Sequence, residues 1–390
     1  MKTILTLALV TGLLSQVSFA ADLEAWLAKP ILDPNLPQRQ VEDYCEARVL
    51  RMPEVSSARE WEALAKKYRE DTLREVVFRG EAAKWREMET KVKFLDTIEG
   101  GPEYRIKKLI YEAVPGLWIP ALLYEPKNLD GPAPVVLNVN GHDRKDGKAA
   151  DYKQTRCINQ AKRGMIALNV EWVGMGQLQS PGFAHYKMNQ LDLCGTSGLA
   201  PFYLSMSRGL DILLQHKHAD PDRVAVAGLS GGGWQTIIIS SLDERVTLSD
   251  PVAGYSSFLT RIHNHSDLGD SEQTPVDLGA IADYAHLTAM RAPRPTLLTF
   301  NLNDNCCFAS PHALQPLLDA AKPIYKLYGK EDSFRWHVNE DPGTHNFGKD
   351  NRQALYRMFG TFFYPDDETF DANEIACEDE LKTKEELHVP

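Results

Sequence analysis

The sequence contains no block of basic residues. Lys and Arg number 43 against 54 Asp and Glu, and the formal net charge is −11. Nucleic-acid backbones are neutralised by clustered cations, so a nucleic-acid partner is excluded. Beyond the first twenty residues no apolar run is long enough to cross a bilayer, so no membrane span is expected. The six cysteines (Cys45, Cys157, Cys194, Cys306, Cys307, Cys377) lack the spacing of a zinc site, and their positions fix no disulfide pairing. No internal repeat is visible, which excludes solenoids and propellers.

What is present begins with the leader "MKTILTLALVTGLLSQVSFA". Lys2 gives a positive start, and an apolar stretch follows. Ser18 and Ala20 supply small residues at a cleavage site. Residues 1–20 therefore read as a signal peptide, and the protein as exported, periplasmic or extracellular. Position 21 is not a cysteine, which argues against a lipid anchor. With 43% hydrophobic and 25% charged residues, the rest has the composition of a globular chain with a large core.

Residues 21–99 read as an N-terminal leader and helical extension. Up to about residue 57 the segment is rich in Pro, Asp and Arg and looks irregular. From there Trp61, Leu64, Ala65, Tyr68, Leu73, Val76 and Val77 recur at helical spacing, with Gly80 as a break. Residues 100–365 read as the main domain. The stretch 104–126 alternates around Val-Pro-Gly and predicts an antiparallel pair. Apolar runs at 133–141, 165–174, 223–230, 246–254, 294–304 and 323–329 predict strands. Helices are predicted at 151–163, 201–217, 232–241, 311–321 and 350–363. Continuous apolar strands alternating with helices indicate an α/β fold, a mostly parallel sheet with helices on both faces. Residues 366–390 are strongly acidic and read as a solvated tail.

The chemistry concentrates at "RVAVAGLSGGGWQT". Gly228-Leu229-Ser230-Gly231-Gly232 fits G-x-S-x-G, between an apolar strand and a helical run. A nucleophile on so sharp a strand-to-helix turn needs neighbours without a Cβ, and the next N–H, on Gly231, then points at the reacting carbonyl. A serine hydroxyl needs a base that is itself held in place. With partners in the chain order Ser, acid, His, His345 in the Gly/Pro loop "NEDPGTHNFG" is the base candidate. Asp304, ending "TLLTFNLND", is the acid candidate, with Asp250 after the preceding strand as the alternative. A second oxyanion donor is expected from the loop Asn140-Gly141-His142, as the N–H of His142. Glu171, Trp172 and Trp234 lie near strand ends and are candidates to line the pocket, the tryptophans by stacking on a sugar ring; core packing is the alternative for Trp234. "RIHNHSDLGD" offers His263, His265, Asp267 and Asp270. A pocket-lining loop is favoured there over a metal site, because triad chemistry needs no metal. Neither metal nor cofactor is expected. Cys306-Cys307 reads as a pair of buried thiols beside Asp304.

With these residues in place, the chain resembles secreted bacterial α/β-hydrolases of the acetyl xylan esterase type. The resemblance covers residues 100–365 and rests on "DPDRVAVAGLSGGGWQT", "APRPTLLTFNLND" and "DPGTHNF". It implies Ser230 as nucleophile, Asp304 as acid and His345 as base of a serine carboxylic-ester hydrolase, with a small-molecule or carbohydrate ester as substrate. The chain departs from the family's pattern twice. It has Asn-Gly-His where an early His-Gly-aromatic is usual, and Gly231 where Gln is frequent. Two other readings stand beside this one: a prolyl-oligopeptidase-type peptidase and an inactive binding protein of the same fold. The first normally carries a large propeller or lid, for which some 80 N-terminal residues are too few.

Overall fold

The computed structural model describes residues 23–30 and 32–390. The signal peptide expected over residues 1–20 lies outside them. The chain divides into two units, Met1–Arg48 and Val49–Pro390. In the first, the segment expected to be irregular forms a helix, α1 (Leu36–Glu46), with proline in its first turn, where the missing N–H costs nothing.

The second unit opens with α2 (Ala58–Asp71). Ser57 caps it by accepting from the Glu60 N–H at 3.3 Å. The helix widens into a π-type turn over Thr72–Val77, and Gly80, at φ +62°, redirects the chain. Nine strands follow: β1 (Val92–Glu99), β2 (Tyr104–Val114), β3 (Leu117–Pro126), β4 (Ala133–Asn138), β5 (Ile166–Val170), β6 (Ala219–Leu229), β7 (Leu248–Val252), β8 (Thr296–Asn301) and β9 (Phe334–Asn339). They form one sheet in the order β1-β2-β3-β5-β4-β6-β7-β8-β9. β1 to β3 pair antiparallel, and β3 pairs antiparallel with β5. From β5 to β9 all pairings are parallel.

The main helices are α3 (Asp151–Lys162), α4 (Ala200–Leu214), α5 (Gly231–Leu242), α6 (Ser310–Leu327) and α7 (Lys349–Phe363). Successive side chains of a strand point to opposite faces. Val135, Leu137, Val224 and Val226 accordingly pack into one core with α2, α4, α5 and α6. Val136, Ala225 and Ala227 pack into another with α7. The sheet is covered on both faces, as the strand–helix alternation predicts.

Three further expectations need correction. The run at 323–329 is helical, because Leu314, Leu317, Leu318, Ala321, Ile324 and Tyr325 form one buried helical face of α6; the last strand is β9. β1, inside the expected helical extension, belongs to the sheet. The acidic tail is not solvated throughout. Cys377, Leu387 and Val389 are buried against α3 and the strands beneath it, and the Glu374 carboxylate grips Arg352 at 2.5 and 2.7 Å.

Candidate active site

The segments after the carboxyl ends of β4 to β9 carry most of the candidate residues, at the end where open α/β sheets bind ligands. Ser230 ends β6 and begins α5 with φ +61° and ψ −122°. A positive φ on a non-glycine residue is strained. The turn is held because the Ser230 N–H donates to Val252 O and the Trp234 N–H to Ser230 O, both at 2.9 Å. The neighbouring glycines are required by space. A Cβ on Gly228 would stand 2.4 Å from Val139 O, and one on Gly232 2.6 Å from the same atom. On Gly231 it would stand 2.5 Å from the indole of Trp172. That ring fills the volume a longer residue at 231 would need.

The loop after β4 is drawn over this turn. A Cβ on Gly141 would lie 2.9 Å from the Gly231 nitrogen, so the two backbones are in contact. Gln235 donates to Asn140 O at 2.6 Å. The Asn140 amide donates to Asn169 Oδ1 and Val170 O at 2.7 Å. His142, next in line, turns its ring edge to Trp172, with centroids 4.9 Å apart.

His345 and Asp304 meet. His345 Nδ1 lies 2.8 and 2.9 Å from the two Asp304 oxygens. The Asp304 carboxylate also accepts from Asn301 Nδ2 and the Cys306 N–H, both at 3.0 Å, and from the Cys307 N–H at 3.3 Å. Burial raises its pKa, but the His345 and Asn301 hydrogen bonds outweigh this and hold it below the ordinary value. Burial pulls His345 down, and the bond and charge of Asp304 outweigh it, so the imidazole sits above the usual histidine value. Asp250 is elsewhere. It is buried and accepts from Thr299 Oγ1 at 2.7 Å, and burial pushes its pKa up to about 7.

The expected pocket residues separate. Trp172 is at the site, but its face is covered by His185, with centroids 4.4 Å apart, and it is only 2% exposed. No sugar can stack on it in this conformation. Glu171 points away into a buried network, accepting from the N–H groups of Lys148 at 2.9 Å and Gln177 at 3.2 Å. Trp234 is core: its Nε1 donates to Tyr284 Oη at 2.8 Å and it packs on Phe202. His263 and His265 are exposed. Asp267 is buried, taking the Phe308 N–H at 2.9 Å and His312 at 3.1 Å. Cys306 is exposed rather than buried, with its sulfur 2.8 Å from that of Cys307. Sequence reasoning missed His185, which packs against His142. It opens a 3-10 helix, His185–Cys194, that has no apolar periodicity, so no spacing signal points to it.

Among solved structures, the methylesterase BT1017 is similar over 91% of this chain and 73% of its own, at 19% identity and TM-score 0.66. A glucuronoyl esterase from Solibacter usitatus shares 16% identity over 80% and 98% of the two chains, with TM-score 0.58. Acetyl xylan esterase 1 from Thermoanaerobacterium sp. JW/SL YS485 shares 16% over 82% and 98%, with TM-score 0.53. These likenesses establish the α/β-hydrolase fold. A comparison with curated protein sequences finds no match. The acetyl xylan esterase (AXE1) family matches residues 66–278, more than half the chain and including Ser230. The chain belongs to the acetyl xylan esterase family and is a carboxylic ester hydrolase.

Proposed function

We propose that this is an exported serine esterase that removes an ester group from a carbohydrate through an acyl-enzyme. Ser230 Oγ attacks the ester carbonyl and His345 Nε2 takes its proton. Asp304 holds the Nδ1–H tautomer and stabilises the imidazolium. The N–H groups of Gly231 and His142 receive the oxyanion. His345 returns the proton to the departing alcohol. Water activated by the same imidazole then releases the acid and regenerates Ser230.

The observation that carries this reading is the 2.8 Å His345–Asp304 contact, on the same sheet edge as a serine held at positive φ. That pairing also favours Asp304 over Asp250 as the acid. A peptidase reading has no comparable support, and an inactive binding protein has no need of the strained turn. Export rests on the sequence of the leader.

A hydrolysis panel tests the substrate class: acetylated xylan, aryl acetates of rising chain length, methyl glucuronate esters and peptide amides. Carbohydrate esters are expected to be hydrolysed best and amides not at all. Amide cleavage faster than every ester would overturn the reading.

A further inference from the structure

Beside the oxyanion loop, three side chains from three loops converge. His142 follows β4, His185 follows β5 and Asp270 follows β7. His142 Nε2 lies 2.7 Å from His185 Nε2 and 3.1 Å from Asp270 Oδ2, and the third separation is 3.7 Å. We propose that His142, His185 and Asp270 bind a divalent transition-metal ion of the zinc type.

The geometry fits such an ion. Zinc bound by nitrogen and oxygen at about 2.0–2.1 Å in a tetrahedron sets its ligands about 3.3–3.4 Å apart, and the three separations bracket that edge. The donor chemistry fits as well. Two imidazoles and a carboxylate suit zinc and its neighbours, whereas calcium and magnesium take oxygen. His185 is 3% exposed, and its Nδ1 lies 2.7 Å from Oε1 of the buried Glu272. The contact is an ion-pair distance without hydrogen-bond alignment; a carboxylate behind a ligating histidine favours the proton on Nδ1 and leaves the Nε2 lone pair for the metal. The indole of Trp172 fixes the ring plane from the other side.

The carboxylates of Asp270 and Glu272 both face the cluster, and no lysine or arginine among the described residues is ion-paired with either. Three protein ligands leave a fourth position for water or a substrate oxygen. The bound ion would also fix the position of His142, and with it the loop that carries the second oxyanion N–H. Of the segment 261–270 only Asp270 takes part. The inference does not depend on which ester is hydrolysed, and it revises the expectation that no metal is bound.

The test uses the untagged full chain, stripped with a chelator and dialysed. Titration with Zn²⁺ in a calorimeter is expected to show one equivalent bound. Cobalt is expected to give the visible absorption of a four-coordinate ion without a thiolate charge-transfer band. His185→Gln and Asp270→Asn, each checked for folding by circular dichroism, are expected to weaken zinc binding by at least about tenfold. Glu272→Gln should cost about 10- to 100-fold through His185. Absence of binding, a thiolate band pointing to Cys306 and Cys307, or unchanged affinity in both folded ligand variants would overturn the proposal.

Discussion

His345 shows how a single hydrogen bond sets a working range. As the proposed base it must be neutral, so kcat/KM is expected to fall as pH drops through its pKa, which Asp304 holds above the usual histidine value. Asp304→Asn removes the charge that raises it. The acid limb should then move to lower pH while kcat falls by about 10²- to 10⁴-fold. A pH–rate profile of the two proteins checks this; an unmoved limb would separate His345 from the reaction. Gly231 gives a second residue-scale prediction. The glutamine frequent in this family has no space here, because a Cβ would meet the Trp172 indole at 2.5 Å. Gly231→Gln should displace Trp172 and cost at least about 1–3 kcal/mol, the range for overpacking, read as a lower denaturant midpoint. The pairing of Asp304 with His345 is legible in the sequence because each ends or follows a strand in the chain order expected of partners to Ser230. Glu171 and Trp234 mislead at the same scale, because nearness to a strand end does not say which way a side chain points. His185 is opaque, and Asp270 is visible only as one of four candidates in its loop, since positions 142, 185 and 270 share no period and meet only through the fold.

Among the elements, β4 to β8 can be read directly, because burial on both faces leaves continuous apolar runs; β9, at the sheet's edge and only partly buried, leaves no such run. The run at 323–329 fails for a physical reason: a short apolar stretch has no period of its own, and its true partners lie upstream on α6. The tail fails because its charge dominates its composition. Its few apolar residues, Leu387 and Val389 among them, nevertheless find buried sites. Gln177 exchanges two hydrogen bonds with Val389, Nε2 to O at 2.7 Å and N to Oε1 at 3.1 Å. The tail therefore clasps the loop that follows Trp172. Truncation after Ala372 should lower Tm by several degrees, since each buried aliphatic side chain is worth about 1.5–3 kcal/mol. It should also reduce kcat/KM by loosening the Trp172 loop. A melting curve and steady-state rates on the truncated protein check this, and an unchanged Tm would contradict it.

For the whole molecule, the fold class follows from the alternation of strands and helices, whereas the substrate does not, because one fold serves many esters. If the leader is a signal peptide cut after Ala20, the mature protein begins at Ala21. N-terminal sequencing of the exported protein checks this, and a mature chain starting at Met1 would contradict export. The account rests above all on Ser230 as the nucleophile, and the most direct measurement is covalent. Folded protein is treated with a fluorophosphonate, digested, and mapped by mass spectrometry beside Ser230→Ala. The account predicts one adduct per chain, on Ser230, abolished in the variant along with aryl acetate hydrolysis. An adduct on another residue, or a Ser230→Ala protein that keeps its esterase rate, would contradict it.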